Sequence, residues 1–175
     1  MTDRHITLLN YGYFDKKILT GLAELIIAEF QSEVVIVEDY FEINNFYDAS
    51  RKQYNGNQIL RFIDSRSEAI EGKIVGLFNV DLFIPILTYI FGQAYLGGKT
   101  AIASGYRLAN ERYGLPGNES LFQSRLTKEV HHELGHCFGL IHCHNPGCVM
   151  QSSTYVEDID QKTFRLCQSC SDQIR

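Results

Sequence analysis

No tryptophan occurs among these 175 residues, and proline and methionine are scarce at three and two. Aromatic packing therefore falls to eleven Phe and ten Tyr, enough with the aliphatic residues to fill one buried core. Positive charge is also short: the formal net charge is −5 and the pI is near 5.6. With no basic stripe, a nucleic-acid partner is not expected. The opening MTDRHITLLNYG lacks a basic stretch followed by a long apolar run. No export signal is expected, so the expected location is cytoplasmic. The most apolar window, LFIPILTYIFG (82–92), is too short to span a bilayer and contains Pro85. It reads as a buried core segment, and no membrane partner is expected. Internal repeats and low-complexity segments are absent.

What is present has a strand–helix rhythm. HITLLNY (5–11) and VVIVE (34–38) are short apolar runs that read as buried strands. Between them Phe14, Ile18, Leu22, Leu25, Ile26 and Phe30 recur at helical spacing. GNQILRFIDSRSEAI (56–70) reads as a second helix and KIVGLFNV (73–80) as a third strand. This order implies an α/β (α+β) fold with a mixed, mostly parallel sheet and right-handed crossovers. LTYIFGQAYLGG (87–98) and KTAIASGYRL (99–108) meet at Gly97-Gly98, a hairpin signal, so an antiparallel edge strand is expected there. Residues 109–120 are loop by composition. A helix over 120–138 follows, with Ser120 and Gln123 spaced as a capping box and Leu126, Val130 and Leu134 as the stripe that packs on the sheet. Gly139 stands where a helix ends in a left-handed residue. Residues 140–175 show no periodicity until the last cysteine pair and read as a small irregular lobe that needs a staple.

Twenty residues, 131 to 150, hold five of the six histidines. In HELGH, His132 and His136 lie four apart, so both imidazoles project from one helical face. That is two-thirds of the protein ligand set of a catalytic zinc. Glu133, about 100° round the helix, can reach a water on the metal without ligating it. His131, five residues before His136, points to another face, and with His144 and His5 it reads as an ordinary core or surface residue. A continuous helix would place His142 about 240° from His136. A sharp turn at Gly139 instead lets the chain reverse and bring His142 to the same point.

Cys143, Cys148, Cys167 and Cys170 form C-x4-C and C-x2-C pairs. Two disulfides or an iron–sulfur cluster are the alternatives. A tetrahedral four-thiolate zinc is preferred, since no export signal and no redox partner are evident. Seven ligands in two sets imply two zinc ions per chain, one catalytic and one structural. Cys143 follows His142 directly, so the structural zinc would hold the third histidine in place. Cys137 reads as a small buried residue.

HELGHCFGLIH followed by Met150 resembles the metzincin metalloproteases, and HCHNPGCVM followed by CQSC looks like the archaemetzincin branch. The resemblance implies a zincin-like single catalytic domain over 1–175, with an N-terminal subdomain (1–139) and a zinc-stapled C-terminal subdomain (140–175). It also implies a second zinc beside the active site, with Met150 as the Met-turn floor. The implied activity is hydrolysis of peptide bonds by a zinc-bound water that Glu133 activates as general base. The substrate would be a peptide or protein, paired as an added strand along 87–95, and the enzyme a monomer. No Tyr stands two residues beyond Met150, where metzincins elsewhere carry one. A zinc-stabilised peptide-binding module without proteolysis is the alternative, disfavoured because Glu133 is intact.

Overall fold

The computed structural model describes residues 5–174; the first four residues of the stretch read for an export signal lie outside them. In chain order the elements are β1 (His5–Asn10), α1 (Lys16–Phe30), β2 (Glu33–Glu38), β3 (Tyr47–Asp48), β4 (Gln53–Asn55), α2 (Gly56–Arg66) and β5 (Lys73–Phe78). Then come β6 (Leu82–Phe83), β7 (Gly92–Ala94), β8 (Thr100–Ser104), α3 (Glu119–Cys137), α4 (Val156–Gln161) and α5 (Gln168–Ile174). The main sheet runs β2-β1-β5-β8-β7, parallel except for β7, which pairs antiparallel with β8 and forms one edge. β3, β4 and β6 make a second, smaller sheet that carries no strand signal in the sequence.

Side chains alternate along the central strands, and both faces are buried, as a parallel sheet covered by helices requires. Ile6, Leu8, Val75, Leu77, Ala101 and Ala103 pack with α1 and α3. Leu9, Ile74, Phe78 and Ile102 pack with Ile59, Leu60 and Ile63 of α2 on the opposite face. Leu126, Val130 and Leu134 are fully buried against the first face. The alanines of β8 leave room for α3 to lie close to the sheet.

Several expectations need correction. The α3 cap is Asn118, whose side chain accepts from the Leu121 amide at 3.0 Å; Gln123 instead turns its amide over Gly21 of α1. The second helix stops at Arg66. β2 is an exposed edge, with Val35, Ile36 and Val37 partly in solvent. The 82–92 window is buried only at Leu82, Phe83 and Phe91, and Ile86 is 86% exposed. Two short helices, α4 and α5, interrupt the irregular C-terminal segment. Among the described residues no helix is long and apolar enough to cross a membrane.

Candidate active site and metal centre

α3 presents His132 and His136 on one face, their Nε2 atoms 3.1 Å apart. The helix ends where expected. Gly139 adopts φ +93°, and the Gly139 and Leu140 amides donate back to His136 and Gly135 at 2.9 Å each. That closure reverses the chain, which only a glycine does without strain here. His142 then returns, its ring centroid 5.2 Å from that of His132 and 5.0 Å from that of His136. One ligand nitrogen from each imidazole falls within 4.8 Å of the others. The Nδ1–H of His132 donates to the Val149 carbonyl at 2.8 Å, and that of His136 to the Leu140 carbonyl at 2.7 Å. These bonds fix the tautomers and leave both Nε2 atoms as acceptors facing one point. Tetrahedral zinc places imidazole nitrogens roughly 3.3 Å apart, so the donor set fits that ion.

Glu133 is buried beside this point, and Glu129, one turn earlier on the same face, lies against it. Burial pushes the Glu133 carboxyl well above its ordinary value, and the neighbouring Glu129 pushes it further. Burial raises Glu129 as well, while the Lys162 ammonium opposes both shifts. Lys162 is itself buried, which pulls it down. Its Nζ donates to the Gln151 carbonyl at 2.9 Å and lies 3.4 Å from His132 Nδ1. Burial also holds His132, His136 and His142 below the usual histidine value, so they stay neutral and able to ligate. Spacing alone misses Glu129 and Lys162. Glu129 carries a legible signal four residues before Glu133; Lys162 carries none, because tertiary folding alone brings it there.

Met150 is fully buried beneath α3, where a Cβ at Gly135 would overlap its sulfur. Its carbonyl accepts from the Cys143 amide at 2.9 Å, tying that floor to the segment that carries His142. A cleft of about 450 Å³ opens over the histidines. One wall is β7 with the exposed loop before it; the other is residues 152–155. The Tyr89 hydroxyl donates across to the Thr154 carbonyl at 2.8 Å.

The four other cysteines also converge. Cys143 and Cys167 have sulfurs 3.8 Å apart, and Cys148 and Cys170 have theirs 3.9 Å apart. A disulfide requires about 2.05 Å, whereas four thiolates on zinc stand about 3.8 Å apart. All five cysteines are free thiols. The Asn145 side chain donates to Cys167 Sγ at 3.1 Å and, as the largest influence, pulls that thiol down to about 6. Cys137 is buried in the core and pushed up to about 12. His131 faces away from the cleft, donating to the Phe164 carbonyl at 2.6 Å, and His144 is exposed.

This geometry meets its counterpart in known proteins. The sequence profile of peptidase family M54 matches residues 14–175. The chain belongs to peptidase family M54. It is 41% identical over 124 residues to the archaemetzincin of Methanocaldococcus jannaschii, covering 71% of this chain and 67% of that one. It is 40% identical over 147 residues to the archaemetzincin of Pyrococcus horikoshii, covering 82% and 78%. The crystal structure of a zinc-dependent peptidase from Methanocorpusculum labreanum superposes with a TM-score of 0.89 at 29% identity, covering 97% of this chain and 100% of that one. This M54 member is therefore a zinc-dependent metallopeptidase with the archaemetzincin fold.

Proposed function

We propose that this M54 peptidase holds two zinc ions, a catalytic one on His132, His136 and His142 and a structural one on Cys143, Cys148, Cys167 and Cys170, with Glu133 as general base. The observation that carries the proposal is the convergence of three neutral imidazoles, two of them oriented by carbonyls, beside a buried carboxylate at the floor of a cleft. When bound, the catalytic zinc supplies Lewis-acid polarisation of the scissile carbonyl and lowers the pKa of a water toward neutrality. The positive charge of Lys162 opposes the effect of burial on Glu133, whose ionised carboxylate would accept that water's proton and later deliver it to the leaving amine. The Glu129 side chain hydrogen-bonds Glu133 and holds it in place, Lys162 adds a nearby positive charge, and burial keeps bulk water from competing for the Glu133 proton. β7 offers its free edge to an extended peptide, which lies in the cleft as an added antiparallel strand. The protein works as a monomeric single domain of two subdomains, 1–139 and 140–175. A cytoplasmic setting suits it, because there the four thiols stay reduced.

Glu133→Gln tests the proposal. The substitution removes the base and touches no ligand. Elemental analysis should return two zinc ions for both wild type and variant. Peptide-library hydrolysis should fall at least about a hundredfold, the usual scale for losing a general base. A variant that cleaves as the wild type does, or a wild-type protein that carries one zinc, contradicts it.

A further inference from the structure

A second concave site lies outside the cleft. From β1 the chain crosses to β2 on one side, while β5 pairs on the other, and α1 and α2 cover opposite faces. In open α/β sheets such a reversal leaves a crevice beyond the carboxyl ends of the strands, where ligands bind. Here that crevice is a cavity of about 260 Å³, bounded by the residues that follow β1, β2 and β5.

Tyr11, Tyr13, Tyr40, Phe41 and Phe78 line it, and Asp39 is the one charged residue among its lining. Tyr11 is pinned in place. It stacks on Phe78 at 5.1 Å, meets Phe41 edge-on at 4.8 Å, and donates its hydroxyl to Asp39 Oδ2 at 2.6 Å. Burial pushes that hydroxyl's pKa up, so it remains a donor. Tyr13 and Tyr40 are instead 80% and 67% exposed. Tyr13 is also held at φ +55°, in the left-handed region that bulky residues avoid. Such outliers gather at ligand clamps. Among the described residues the only cation on Asp39 is Arg66, whose Nη2 is 3.6 Å from Oδ2. Oδ1 has no hydrogen-bond donor among the described residues.

We propose that this crevice binds a small quaternary ammonium compound, held against Tyr13 and Tyr40 with Asp39 as counter-charge. Aromatic faces attract diffuse cations, and alkylated ammonium groups are the ligands such cages take. A primary ammonium could pair with the free Oδ1 of Asp39, the one carboxylate of the lining, but would leave two of its three donors without a carboxylate acceptor there. A fully alkylated cation needs none. The volume is below the range of about 300–1,000 Å³ typical of drug-sized ligands, which suits a headgroup and not a nucleotide. A phosphate would meet Asp39 with no lining cation to balance it.

The test is an NMR titration of the zinc-loaded protein with choline, against its neutral isostere 3,3-dimethyl-1-butanol and against sodium chloride at matched ionic strength. Choline should shift residues 11–13 and 39–41 saturably, and the neutral alcohol should bind at least about tenfold more weakly. Tyr13→Ala and Tyr40→Ala, both at exposed positions, should each weaken choline about 2- to 30-fold. Both should keep wild-type melting and peptide hydrolysis. Asp39→Asn should weaken it too. Equal affinity for the neutral alcohol would reduce the site to an apolar hollow. Shifts that sodium chloride reproduces, or unchanged affinity in Tyr13→Ala and Tyr40→Ala, would remove it altogether.

Discussion

At Gly92 the α-hydrogen is all that separates the edge strand from the buried Glu129–Glu133 carboxyl pair. A Cβ there would stand 2.7 Å from the Ile102 carbonyl oxygen, 2.8 Å from Glu133 Cγ and 2.9 Å from Glu129 Oε1. The carbonyl belongs to the neighbouring strand and cannot yield, so the strain must move Glu133 or the edge. Gly92→Ala is expected to destabilise the fold by about 1–3 kcal/mol, the usual scale of overpacking. Activity should fall further than stability explains. Shifting a reacting group by about 1 Å loses on the order of a hundredfold in rate. Thermal melting and kcat, measured together, check both effects; wild-type values in both would mean the edge is not seated so close.

The C-terminal segment is secured to α3 by more than its cysteines. Arg125 makes a bidentate pair with Asp160 at 2.8 and 2.6 Å, and Lys128 donates to the Ile159 carbonyl at 3.1 Å. Val156, Ile159 and Leu166 share the core of the main sheet. Losing the thiolate site should therefore leave α4 docked. A Cys167→Ser, Cys170→Ser double variant is expected to bind one zinc fewer and to raise amide exchange over residues 142–149 and 165–174. Exchange in α3 and α4 should stay unchanged. Because the Cys143 amide is bonded to the Met150 carbonyl and Cys143 adjoins His142, the catalytic zinc should leave faster under chelation. Two tightly held zinc ions in that variant would refute a shared thiolate site. The element boundaries show why local pattern is insufficient here. Apolar periodicity located α3, but the helix starts at Glu119, one residue earlier than read, so Asn118 takes the cap and Ser120 already lies inside the first turn.

For the whole molecule, pH acts through groups buried without charge. Burial is the main cause that holds His131 at about 4, against about 6.5 in an unfolded chain. Between those values the unfolded state binds more protons, so stability rises with pH across the window and falls on acidification. His131 alone should lose the protein roughly 3 kcal/mol between pH 6.5 and 4. Denaturant unfolding of wild type and His131→Phe across that range gives the measurement. The variant's curve should be flatter by that amount, and parallel curves would show His131 to be indifferent. Zinc held by the neighbouring His132, as proposed above, would add to the same trend, since protons displace metal from imidazole.

The amino-acid order by itself determined the chemistry. Ligand identity is a matter of residue type, and HELGHCFGLIH places three imidazoles, a carboxyl group and a turn within eleven positions, the first two imidazoles by helix geometry and the third by the turn at Gly139. The strand–helix alternation was local too, so the parallel sheet and its antiparallel edge could be read from it. Tertiary structure decided whatever depends on which surfaces meet. It exposed the middle of the 82–92 run, residues 85–88, that composition would bury, because this loop reaches the rim of a cleft and leaves Ile86 and Leu87 unpacked. It brought Lys162 from thirty residues away to His132, and it set four sulfurs at zinc spacing instead of bonding distance. Spacing along a chain fixes angles only within one element. Contacts between elements depend on how the two faces of the sheet are covered, which no short stretch encodes.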